Sequence, residues 1–112
     1  MELLTKLIDI VGIFQEFDNE MPLLTLKAFL FVCLYQNKEN GLSVKDVSEL
    51  LEVSGAAGSR NVSKLYKYGG AKGNMNLVEV LEDPNYRVRK LIRLTKRGEK
   101  LKKQLMDIIA QG

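Results

Sequence analysis

The segment Leu26–Leu34, LKAFLFVCL, most constrains the fold, because a helix through it is apolar on almost every side. A helix without a polar face has to be wrapped by other elements, so the rest of the chain is expected to close around it. Thr25 is placed to cap this helix, and Asn40–Gly41 supplies a left-handed stop after it. Ahead of it, Leu3, Leu7, Ile10, Phe14 and Phe17 recur at helical spacing, with Leu4, Ile8 and Val11 widening the stripe. That is more apolar surface than one helix of a small domain needs. The run Asn19–Glu20–Met21–Pro22 ends this first helix.

Two short helices follow. Ser43, with Asp46 three residues on, forms a capping-box pattern ahead of Val44, Val47, Leu50 and Leu51. The connection Glu52–Val53–Ser54 leads to a helix over about residues 55–68, with Ser54 as its cap and Val62, Leu65 and Tyr66 inward. A pair joined by so short a turn is a helix-turn-helix unit. Gly69–Asn74 reads as a flexible loop. Residues 77–81 and 88–94 are strand-like, and Asp83–Pro84–Asn85–Tyr86 between them makes the pair a hairpin. Thr95 caps a last helix with Leu101, Leu105 and Ile108 on one stripe, and Gly98 weakens its first turn by about 1 kcal/mol relative to alanine.

Composition excludes several classes. With 46% hydrophobic residues in 112, the chain suits one folded domain and not a disordered tail. No apolar run is long enough to span a membrane, and the N-terminus lacks the pattern of a signal peptide. The lone Cys33 cannot pair internally, which fits a reducing cytoplasm, and its apolar neighbours mark it as a small buried hydrophobe and not a redox sensor. There is no histidine, and no pair of carboxylates suggests acid–base chemistry, so neither an enzyme nor a metal or other cofactor is expected. The glycines around Lys72 lack the spacing of a nucleotide-binding loop.

The net charge of +3 hides an asymmetry. Residues 1–40 hold three Lys/Arg against six Asp/Glu, and residues 41–112 hold fourteen against eight. Residues 53–78 and 84–98 contain cations and no acid. A polyanion-facing surface on the second half accounts for this, as does a merely solvated basic face.

Together LTLKAFLFVCL, LSVKDVSELLEVS, SRNVSKLYKYG and LVEV…EDPNYRVRKLIRLTKRGEKL, in that order, resemble the MarR family of winged helix-turn-helix regulators. Most specific is the hairpin with Asp-Pro at its tip, ending in Leu94–Thr95 and followed by Gly98. The resemblance implies a mainly α fold with a small β-hairpin wing, dimerised through its N- and C-terminal helices. Residues 1–112 then form a single domain. Within it, 1–20 is a dimerisation helix, 21–95 the winged helix-turn-helix core, and 96–112 a C-terminal dimerisation helix. The sequence departs from the family in the inserted GAKGNMN (residues 70–76), in Tyr86 and Val88 where the family carries an Asp and a paired Arg, and in Gly58 where an apolar residue is usual.

The expected function is a homodimer that binds a palindromic site on double-stranded DNA and regulates transcription. In the recognition helix the candidate contacts are Ser54, Ala56, Ser59, Arg60, Asn61, Ser63, Lys64 and Lys67. Arg60 suits guanine, Asn61 suits adenine if it points outward, and Ser63, Lys64 and Lys67 suit phosphate. Small residues at 55–58 would let the backbone approach DNA or, alternatively, pack tightly within the protein. In the hairpin Arg87 and Arg89 are favoured, with Lys90 and the loop's Lys72 as further candidates. Leu3, Leu7, Ile10, Phe14, Phe17, Leu101, Leu105 and Ile108 are the candidate dimerisation residues. Relatives that bind small effectors make such a ligand conceivable, but no residue indicates one, and the short chain leaves little room for a pocket. The departures at the wing would also suit a winged helix that has exchanged DNA for a protein partner.

Overall fold

A computed structural model describes residues 1–66 and 75–111. Five helices and a two-stranded antiparallel hairpin follow one another in the expected order: α1 (Glu2–Phe17), α2 (Leu23–Tyr35), α3 (Val44–Leu51), α4 (Gly55–Tyr66), β1 (Val78–Asp83), β2 (Tyr86–Leu94) and α5 (Lys96–Ala110). The expected loop at Gly69–Asn74 lies outside the described residues. Among the described residues no helix is long and apolar enough to cross a membrane.

The core is built on α2. Ala28, Phe29 and Val32 are buried there, and Phe14 of α1 meets Phe29 edge to face with ring centres 5.6 Å apart. Val47, Val62, Leu65, Leu77, Ile92 and Leu101 close the core from the other elements. Burial of α2 is less complete than its composition suggests, since Leu30 and Leu34 remain exposed. They border exposed apolar residues of α1 and α5, so a single chain leaves one side of α2 uncovered.

The start of α2 also differs from expectation. Pro22 takes the N-cap position and accepts hydrogen bonds from the Thr25 and Leu26 amides through its carbonyl, so Thr25 lies inside the first turn. Proline favours a helix start, its φ of −62° being already helical. Thr25 is thereby freed to point into the core. The helix ends at Tyr35, before the left-handed residues Asn40 and Gly41, which reverse the chain ahead of α3.

The caps of the helix-turn-helix follow the sequence. Ser43 and Asp46 form the reciprocal capping box on α3. Glu52 closes α3 in a left-handed conformation, φ 58°. Ser54 Oγ accepts from the Ala57 amide at 3.1 Å and starts α4.

In the hairpin Val78 faces Leu94 and Leu81 faces Leu91, with an irregularity between Glu82 and Asp83 where the strands meet the turn. Both strands run further toward the tip than the apolar runs mark. A third segment joins them: Ser43 bridges to Leu91, and the Ile92 amide donates to the Leu42 carbonyl at 2.8 Å. The wing is thus stitched to the loop ahead of α3. Thr95 caps α5 by accepting from the Gly98 amide. Gly98 is more than a weak point there, because a Cβ would lie 3.1 Å from the Leu77 carbonyl carbon and nearer still to its oxygen. Only glycine admits this close pass of the chain entering β1.

Candidate nucleic-acid interface

Helix α4 divides cleanly along its 3.6-residue period. Gly58, Asn61, Val62 and Leu65 face inward. Ala56, Ser59 and Arg60 are exposed, with Ser63 and Lys64 half-buried at the edge. Arg60 has no hydrogen-bond or ion-pair partner among the described residues, so its five N–H donors face solvent. Ser54 sits at the head of the same surface with its oxygen already committed as the cap. Lys67 and Lys72 lie outside the described residues.

Asn61 departs from the expected arrangement. It is buried, accepts a hydrogen bond from Thr25 Oγ1 at 2.8 Å and donates through Nδ2 to the Ala57 carbonyl at 2.9 Å. The helical period that turns Arg60 outward turns its neighbour into the core, where the amide is satisfied by α2 and by its own helix and not presented to a groove. Gly58 likewise serves internal packing: a Cβ there would lie 2.6 Å from Ser48 Cβ, so α3 and α4 cross at a contact closer than any side chain allows.

At the wing, Tyr86, Arg87 and Val88 are exposed, and Arg87 has no polar partner among the described residues. The tip is shaped by Asp83, whose Oδ1 accepts from the Asn85 amide at 2.9 Å. That bond, with the Arg89 guanidinium beside it, holds the Asp83 carboxyl below its ordinary pKa. Lys90 pairs with Glu82 at 3.4 Å and Arg93 with Glu79, both in solvent.

Arg89, favoured together with Arg87 as a DNA contact, is folded back onto the protein. It donates to the carbonyls of Asn40 and Gly41 and to Asp83, and it lies 3.5 Å from Asp46 Oδ2. Burial by itself would raise the Asp46 pKa. The Ser43 amide and the Lys38 ammonium outweigh it and hold the carboxyl low. Lys45 is a cation that the sequence reading missed. It is exposed on the first turn of α3 and lines a hollow shared with Tyr86, Val88 and Lys90. Its place two residues after the capping-box serine, between the inward-facing Val44 and Val47, was the available signal.

The apolar residues at the other end sort differently from the expected stripe. Phe14, Leu101 and Leu105 are buried in the chain's own core, and Ile10, Phe17 and Ile108 are half-buried. Phe14, Leu101 and Leu105 lie on the core side of α1 and α5, and packing within one chain consumes them. Leu3 and Leu7 remain exposed, joined by Leu4, Ile8, Val11, Met106 and Ile109. Lys6 ties the two helices together by donating to the Ile109 and Gln111 carbonyls at the C-terminus of α5.

Between α1, α2 and α5 lies an apolar hollow of about 370 Å³, larger than the short chain suggested. Cys33 borders it, half-buried, and desolvation pushes its thiol up to about 11 despite the opposing charge of Lys102. Such a thiol suits packing and not redox chemistry. Among the described residues no group of His, Cys, Asp and Glu could hold a metal ion.

No family model and no curated protein matches the sequence. Solved structures do match. The MepR–DNA complex of S. aureus superposes with a TM-score of 0.70 at 20% identity over 96% of this chain and 76% of that one. A MarR variant from E. coli complexed with operator DNA gives 0.60 at 18% identity, covering 82% and 58%. The PcaV transcriptional regulator of Streptomyces coelicolor, in complex with its natural ligand, gives 0.59 at 22% identity, covering 84% and 59%. This chain therefore spans between 58% and 76% of the length of these structures. The likeness is one of fold, and the fold is the MarR-like winged helix that the motifs implied.

Proposed function

We propose that this MarR-like winged helix is a transcription regulator that binds double-stranded DNA as a homodimer on a palindromic site. The observation that carries the reading is the exposure of Arg60 on α4 and Arg87 at the wing tip, neither with a polar partner among the described residues. In a winged helix these are the positions that meet the major groove and the flanking backbone or minor groove. Ala56 and Ser59 let α4 sit close, Ser63 and Lys64 reach phosphate, and Lys45 and Lys90 extend the cationic surface beside the wing. Lys67 and Lys72 complete the set in this reading. Two of the structures of similar fold described above were solved with DNA, which supports it.

Dimerisation is assigned to the exposed residues Leu3, Leu4, Leu7, Ile8, Val11, Met106 and Ile109, with Ile10 and Ile108 at the edge. A contiguous apolar surface of this extent is a liability unless covered, and a second copy covers it symmetrically. Ile8→Glu then yields a monomer by light scattering and weakens DNA binding. A wild-type monomer mass at micromolar concentration contradicts the dimer.

A second reading, a protein-interaction module, draws on the apolar wing tip, where Tyr86 is 63% and Val88 75% exposed. Fluorescence anisotropy with a random duplex of about 30 base pairs separates the two, because each phosphate neutralised contributes about −0.9 to the slope of log K against log salt. A slope equivalent to several contacts supports the DNA reading. Absence of binding at low salt favours the protein partner.

A further inference from the structure

Among the described residues, Arg89 is the one wing cation whose guanidinium is engaged by three other parts of the chain. Nη1 donates to the Asn40 carbonyl and, at 3.1 Å, to Asp83 Oδ2; Nη2 donates to the Gly41 carbonyl at 2.9 Å and faces Asp46 Oδ2 at 3.5 Å. These partners belong to the α2–α3 connection, the end of β1 and the first turn of α3. Asn40 and Gly41 are successive left-handed residues, φ 67° and 77°, and both of their carbonyls go to the same side chain. The bend fits tightly beneath the wing, where a Cβ on Gly41 would meet Leu91 Cδ2 at 3.1 Å. Asp46 is itself committed, accepting from the Ser43 amide and from Lys38. Lys38, Asp46, Arg89 and Asp83 thus alternate in sign along one line that crosses from the helix-turn-helix to the hairpin.

We propose that Arg89 is a positioning residue, which locks the wing's angle on the helix-turn-helix and so sets where Arg87 points, and that it does not itself contact DNA. The planar fork of arginine is what the site requires, since it meets two carbonyls and two carboxylates at once. A phosphate-contacting Arg89 would have to abandon all of them. The proposal rests on the DNA reading above for its consequence, but the clamp itself can be tested without DNA.

The experiment compares Arg89→Gln and Asp83→Asn with the parent protein in two measurements. In hydrogen exchange of the free protein, both variants are expected to speed exchange of the wing amides, Ile92 included, by about tenfold while α1 and α5 keep their protection. In anisotropy on the same duplex, Asp83→Asn is expected to bind more weakly than the parent. That sign is diagnostic: the variant leaves Arg89 in place and removes a negative charge near DNA, so a freed, phosphate-contacting Arg89 would bind more tightly. Unchanged wing exchange, or tighter binding by Asp83→Asn, overturns the proposal. If the parent fails to bind duplex at low salt, the DNA reading falls, and exchange alone decides whether Arg89 clamps the wing. Asp83→Asn retains the hydrogen bond from Asn85, which keeps the turn formed should Arg89→Gln not fold.

Discussion

Replacing Gly58 by alanine sets two effects of known size against each other. In an open helix position the change stabilises by about 0.8–1 kcal/mol, because glycine loses more backbone freedom on folding. At Gly58 the new methyl carbon would stand 2.6 Å from Ser48 Cβ and 2.9 Å from Ser48 Cα, closer still to Oγ. Rotating the serine hydroxyl removes only the last of these contacts. The α3 backbone must therefore move, and overpacking of this kind costs about 1–3 kcal/mol, here toward the upper end because Cα is involved. The net expectation is a loss of about 1–2 kcal/mol, a fall in Tm of about 4–10 °C for a chain of this size. Gly12→Ala in α1 is the control, since nothing lies within 4 Å of its added carbon. It should raise Tm through the same propensity gain. Thermal melts followed by far-UV circular dichroism, at one protein concentration, measure both. A Gly58→Ala protein that melts at or above the parent temperature would refute the argument that the helix crossing demands glycine.

Three further outcomes follow from the buried and charged groups. Thr25→Val leaves the Asn61 carbonyl oxygen without its partner, so it should cost about 1–3 kcal/mol, while Thr25→Val with Asn61→Leu recovers much of the loss in a double-mutant cycle. Additive losses in urea melts would show that the two residues do not interact. Asp46 and Asp83 both have depressed pKa values in the folded chain, so their contribution is present above the ordinary aspartate range and lost as pH falls through their folded values. Tm should hold steady from about pH 7 to about pH 5 and decline below about pH 4, and Asp46→Asn should flatten that decline. Cys33, with a pKa near 11, is only about one part in a thousand thiolate near pH 8, so a thiol reagent should react far more slowly with the native chain than with the chain in denaturant. Equal rates would place the thiol in solvent.

Much of the architecture was legible because its signals are local. Capping box, hairpin turn and Thr95 cap each need only neighbouring residues, and each forms where the sequence puts it, whereas α2 stops at Tyr35, short of the left-handed pair Asn40–Gly41. The outward place of Arg60 follows in the same way from the period of α4. Asn61 was less legible, because residue type suggested base reading while the period turned it inward, and its partner Thr25 lies 36 residues away. The same holds for the apolar stripe on α1, where spacing marks a buried face without saying which chain buries it. Phe14, Leu101 and Leu105 are consumed by the chain's own core, and Leu4, Ile8 and Val11 are left over.

By itself, then, the sequence determined the order of elements, the caps that start α3, α4 and α5 and the basic character of the second half, since hydrogen-bond capping, backbone restriction and charge content are properties of short segments. Only the tertiary structure decided what Gly58, Gly98, Asn61 and Arg89 are for. Each is settled by an atom far away in the chain: Ser48, the Leu77 carbonyl, Thr25 and the Asn40–Gly41 bend. A close approach or a shared donor exists only once the elements have packed, and no local pattern encodes the distance between them.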